Sequence, residues 1–173
     1  MPYDIKEHTH RFATWAASRA ANPRGRRRFN EVAGRGWIEQ VGELRHCVCA
    51  PENLPEPENF CKKHRQWRNE LIQASDGVIT DGIAAKLINV YLKASVVQCC
   101  FADQPKVKVV HPPIDNFLLK SLKLTRNDIW RGQSVTWSEL DSDQYEAVIE
   151  KVCKTLGDGV ALWKIEEHWQ GHQ

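Results

Sequence analysis

The strongest constraint on this chain is a 3.6-residue apolar period that recurs along most of its length, with little two-residue alternation to compete with it. Phe12, Trp15, Ala16, Arg19 and Ala20 stand at i, i+3, i+4, i+7 and i+8, which predicts an amphipathic helix over 10–21. Asn22-Pro23 and Gly25 end it. Asn30 is placed to cap a short helix carrying Val32, Ile38 and Val41. The segment 47–58 holds three prolines and reads as the clearest loop. Phe60, His64, Trp67 and Leu71 mark the next helix, which ends near Ser75-Asp76-Gly77. Thr80 or Asp81 caps another, with Ile83, Leu87, Val90 and Tyr91 on its apolar stripe.

Further along, Val107, Val109 and Val110 read as one isolated strand or an extended connector. Pro112-Pro113 open a helix carrying Ile114, Phe117, Leu118 and Leu122. Asp141 and Gln144 have capping-box spacing, followed by Tyr145, Val148, Ile149, Val152, Cys153 and Leu156, and Gly157 stops that stripe. A last helix holds Leu162, Ile165 and Trp169. The expectation is an all-α, single compact domain over residues 1–173, of six or seven helices. The seven tryptophans, spread along the chain, are expected to make its core Trp-rich.

Composition narrows the function classes. No apolar run reaches the roughly 20 residues of a membrane span, and residues 1–11 lack an apolar signal core, so a cytoplasmic protein is expected. Six cysteines without a signal peptide read as reduced thiols, with Cys153 in the core. Residues 1–68 carry net charge +5 and residues 137–173 net −5. Such asymmetry means either an anionic partner for the basic front or two faces that attract each other, the second being the simpler reading.

Three constellations could carry chemistry. Asp81-Gly82-Ile83-Ala84-Ala85-Lys86 places a glycine turn and a lysine at a helix start, where exposed amides attract phosphate. A lysine desolvated there has a lowered pKa and can act as an amine nucleophile. Downstream, Pro113-Ile114-Asp115 sets a carboxylate at another helix start, able to stabilise a developing cation. Second, the loop Arg24-Gly25-Arg26-Arg27-Arg28 suits phosphate contacts. Third, Cys47-x-Cys49 and Cys61-x-x-His64 offer four soft ligands of the kind structural zinc uses, although C-x-C is tight for that role and packed thiols are the favoured reading. No phosphate loop, nucleophile elbow or zincin helix is present, and no metal or other cofactor is expected.

Gly82-Ile83-Ala84-Ala85-Lys86 with Asn89-Val90 and Leu92, followed by Pro113-Ile114-Asp115, resembles the core of the helix-hairpin-helix DNA glycosylases. The resemblance covers about 40 residues. It implies hairpin amides at Gly82 on DNA phosphates, Lys86 attacking the sugar of a flipped nucleotide, and Asp115 supporting the sugar cation. Ala84 stands at the family's second hairpin glycine, and the 29-residue interval from Lys86 to Asp115 implies an inserted loop over 98–110. More broadly, His10-Arg11-Phe12, residues 86–93, residues 111–115 and residues 162–169 resemble an uncharacterised bacterial all-α family, which implies no activity. Two readings follow: a duplex-DNA-binding protein with base-excision-like N-glycosidic cleavage, or a non-enzymatic protein that engages a protein partner through its acidic C-terminal helices.

Overall fold

A computed structural model describes residues 3–23, 29–122 and 136–169. Among these residues every regular element is helical. The five longest α-helices are α1 (Ile5–Ala20), α2 (Glu31–Gln40), α4 (Phe60–Ala74), α5 (Asp81–Leu92) and α8 (Ser142–Leu156). Three short ones, α3 (Gly42–His46), α6 (Pro105–Lys108) and α7 (Asn116–Ser121), join them with several 3-10 turns. None is long and apolar enough to cross a membrane.

Side-chain caps set most helix starts. Asp4, Asn30, Thr80 and Asp115 each accept an N–H from three residues on. Asp141 and Gln144 form the reciprocal capping box. Gly157, at φ +82°, ends α8 in a conformation an L side chain resists.

Ten of the twelve residues of α5 are buried, making it the axis around which α1, α4 and α8 pack. Two apolar cores flank it. One joins α1, α2, α4 and most of the apolar residues of α5, from Ile83 to Leu92. The other joins α7, α8 and the 3-10 helix Leu162–His168, and reaches α5 through Ala85. Lys86, beside Ala85, lies on the seam between them.

Several expectations are corrected. The core face of α1 is not Phe12, Trp15 and Arg19, all of which are exposed. It is His10, which meets the Tyr91 hydroxyl, with Ala13, Thr14, Ala17 and Ser18, small enough for α5 to approach closely. The Thr14 and Ser18 hydroxyls satisfy themselves on the His10 and Thr14 carbonyls, and Arg19 covers the Trp15 ring instead. The core is also not Trp-rich: among the described tryptophans only Trp67 is buried. An indole N–H needs a partner, and polar rims supply one more readily than an aliphatic core.

Val107 lies in α6, opened by Pro105 at its first turn, and Val109 and Val110 form the turn that follows it, so the expected run is neither a strand nor extended. The expected inserted loop over 98–110 is built from α6 and the end of a π-helix, Lys93–Phe101, that continues α5. The helix after Pro112-Pro113 starts only at Asn116. Cys153 is exposed, one position past the buried stripe that ends at Val152. The charge asymmetry is partly spent internally: Glu146 of α8 pairs with Arg65 and Arg68, and Glu166 with Lys93.

Candidate functional site

Two carboxylate oxygens and one amine define the site. Asp115 caps α7 through Oδ1, which accepts the Leu118 N–H at 2.9 Å. Its Oδ2 accepts the Trp169 Nε1–H at 3.0 Å and faces Lys86 Nζ at 3.8 Å. Lys86 is 8% exposed. Its Nζ also lies over the Trp137 ring, 4.2 Å from the centroid. Burial pulls the Lys86 pKa down to about 8, opposed in part by the charge on Asp115. Near neutral pH this amine is therefore partly unprotonated, as a nucleophile must be.

Both residues line a cleft of about 440 Å³. One wall is Phe12, Ala16 and Ala20, the stripe of α1 expected to face the core. The other carries Pro113, Trp169 and the Lys93–Glu166 ion pair. A hollow of about 580 Å³ beside α4 is larger, but of its two lysines Lys62 is exposed and Lys63 is tied to Glu43. The cleft combines apolar walls with a desolvated amine and a fixed carboxylate, which is the pattern of a small-molecule site.

Gly82 has a different role from the expected one. Its N–H donates to the Leu140 carbonyl at 3.0 Å, and the Ile83 N–H is taken by the Thr80 hydroxyl. Neither is left for a phosphate. A Cβ on Gly82 would stand 2.0 Å from the Trp137 carbonyl oxygen, so glycine is required by that close approach. Arg24, Arg26, Arg27 and Arg28 lie outside the described residues. The four soft ligands diverge. Cys47 Sγ faces the Glu43 and Asn53 carbonyls, Cys49 lies beside Cys99, Cys61 beside His111, and His64 on Asn89. Among the described residues no three His, Cys, Asp or Glu side chains are placed to share a metal ion.

A second polar group lies buried behind α5. Asn89 Nδ2 faces the Pro112 carbonyl at 2.9 Å, which can only accept, so Asn89 Oδ1 faces His64 Nε2. His64 Nε2 therefore carries the proton. Burial, with His111 and Arg68 nearby, holds the His64 pKa well below 6.5, so its Nδ1 is bare and accepts from Arg68 Nη1. Asn89 Nδ2 also donates to the Tyr145 hydroxyl, whose own proton goes to His111 Nδ1 at 3.0 Å. Burial first, then Arg68, pushes His111 down to about 3. Its remaining N–H points at Cys61 Sγ, 3.6 Å away. Hydrogen bonds thus run in one direction from Arg68 to Cys61. Arg68 is itself anchored by Asp81, Ser142 and Glu146.

Comparison with protein-family models, curated proteins and solved structures returned no match to this chain. Sequence reasoning named Lys86 and Asp115 but missed Trp137 and Trp169, which lie 51 and 54 residues beyond the groups they touch. No local spacing marks such partners.

Proposed function

We propose that the protein binds duplex DNA and cleaves an N-glycosidic bond of an extruded nucleotide, with Lys86 as the amine nucleophile and Asp115 as the carboxylate that stabilises the sugar cation. The observation that carries this reading is the meeting of a desolvated lysine and a fixed carboxylate in one open cleft. The Lys86 lone pair bonds to the sugar C1′ as the glycosidic bond breaks and its electron pair leaves with the base. The proton shed by the lysine nitrogen balances the one the base takes up. Asp115, 3.8 Å from Nζ, faces the charge that develops on the sugar. Phe12 and Trp169 give a departing base apolar surfaces to lie against. The resemblance of Gly82–Lys86 and Pro113–Asp115 to the glycosylase core supports the same reading, without its hairpin phosphate contact.

The test is borohydride trapping on a labelled duplex carrying an abasic site. Lys86 condenses with the sugar aldehyde, releasing water, and hydride reduces the imine to a stable amine. A covalent adduct that is absent in Lys86→Gln is expected. No adduct at any pH from 7 to 9, with no duplex binding by fluorescence anisotropy at low salt, overturns the reading.

A further inference from the structure

We propose that Trp137 is a positioning residue, strapped across Gly82 so that its indole face holds the Lys86 amine in the cleft. The inference rests on the reading of Lys86 as the reactive amine, but its geometry stands on its own observations.

Segment 136–140 is fixed at three points. The Thr80 hydroxyl donates to the Ser138 carbonyl at 2.8 Å, the Gly82 N–H to the Leu140 carbonyl at 3.0 Å, and the Trp137 N–H to Asn116 Oδ1 at 3.1 Å. Leu140 is buried in the second core. The strap lies so close to α5 that the Trp137 carbonyl occupies the space a side chain at position 82 would need. Lys86 is four residues, about one turn, further along the same helix. The indole therefore arrives over Nζ as a consequence of where the backbone is pinned.

Among the described residues, Asp115 is the other group close to the amine. At 3.8 Å, Asp115 attracts Nζ without hydrogen-bonding it. Among the described residues Nζ makes no hydrogen bond, so its protons and lone pair stay open to a substrate. The other charged groups of the cleft, Lys93 on the π-helix and Glu166 on the 3-10 helix, neutralise each other. The aromatic face is left as the contact that sets where the amine sits, and it favours the ammonium form over the amine.

The test reads Lys86 itself, apart from any DNA chemistry. Competitive acetylation with acetic anhydride across pH 6–11, quantified at Lys86 by peptide mass spectrometry, gives the midpoint of its titration. Trp137→Leu keeps apolar cover but removes the ring face, and lowers the midpoint by roughly half to one and a half pH units. Trp137→Phe keeps a face and stays closer to wild type than the leucine variant. If Trp137→Leu does not fold, the wild-type chain grown on mono- and trifluorinated tryptophan answers instead. Fluorine drains the ring quadrupole without changing its shape, and the midpoint falls stepwise with fluorine count.

A midpoint that stays put or rises in Trp137→Leu, or one indifferent to fluorination, overturns the proposal. Borohydride trapping of the same variants separates the two levels. A shifted midpoint with no adduct even in the wild type keeps Trp137 as the holder of Lys86 and removes the glycosidic reaction. An adduct whose rate follows pH identically in wild type and Trp137→Leu keeps the reaction and removes the positioning role.

Discussion

Lowering the pH from 7 to 5 should destabilise this protein through two of its buried histidines, those of the polar network behind α5. His64 and His111 are both neutral in the fold, with ring centroids 4.5 Å apart. A second proton on His64 would land on Nδ1, where Arg68 already donates. On His111 it would also land on Nδ1 and displace the Tyr145 hydroxyl proton, and Asn89 already donates to that hydroxyl. The unfolded chain takes up these protons below its ordinary histidine pKa while the folded chain refuses them, so stability present above pH 6.5 is lost as the pH falls.

For His111, with its pKa at about 3 in place of 6.5, the loss between pH 7 and pH 5 is about 2 kcal/mol. His64 adds to it in the same direction. Carboxylates held below their ordinary 4.5, such as Glu43 and Glu146, act at lower pH and leave this window to the histidines. Urea titrations followed by tryptophan fluorescence read the effect. With an m-value of about 2 kcal/mol/M, the His111 share alone moves the midpoint by about 1 M. His111→Gln supplies the control, since a glutamine oxygen can accept from Tyr145 without titrating. A wild-type midpoint unchanged from pH 7 to pH 5, or an equal decline in His111→Gln, would refute the reasoning.

Four other outcomes are expected. Gly82→Ala pushes a methyl against the Trp137 carbonyl and costs ~1–3 kcal/mol in the urea midpoint; a neutral result would mean that the strap moves freely. Arg68→Met strands Asp81, Ser142 and His64 without their donor and costs ~3–5 kcal/mol. Arg65→Met, which removes a 55%-exposed partner of the same Glu146, costs less than ~1 kcal/mol, and equal losses for the two would contradict the buried network. Asp115→Asn keeps the α7 cap but removes the charge that raises the Lys86 pKa, so the acetylation midpoint of Lys86 drops below about 8.

The helical class was legible because period and caps agreed: Asn30, Thr80 and the Asp141–Gln144 box all open helices where their spacing places them. So was the stripe Phe60, His64, Trp67 and Leu71, which is buried throughout. The face of α1 was not legible, because periodicity locates a stripe without saying what covers it. Two stripes run along that helix, one large and aromatic, one small. The small one won the core because a helix as crowded as α5 accepts a neighbour only at short range. At the site, Asp115 could be picked out as the cap of α7, and Lys86 as the lysine one turn past the capped start of α5. The histidine network could not, since its order depends on which atom of Asn89 faces which neighbour. That is settled only once the Pro112 carbonyl is in place.

The cleft draws its groups from Phe12 at one extreme to Trp169 at the other. During synthesis, α1, α5 and the Asp115 turn leave the ribosome well before the strap and the indole that hold Lys86 and Asp115. A partly made chain therefore carries the amine and the carboxylate without the indoles they touch, and the cleft is complete only with the last of these elements.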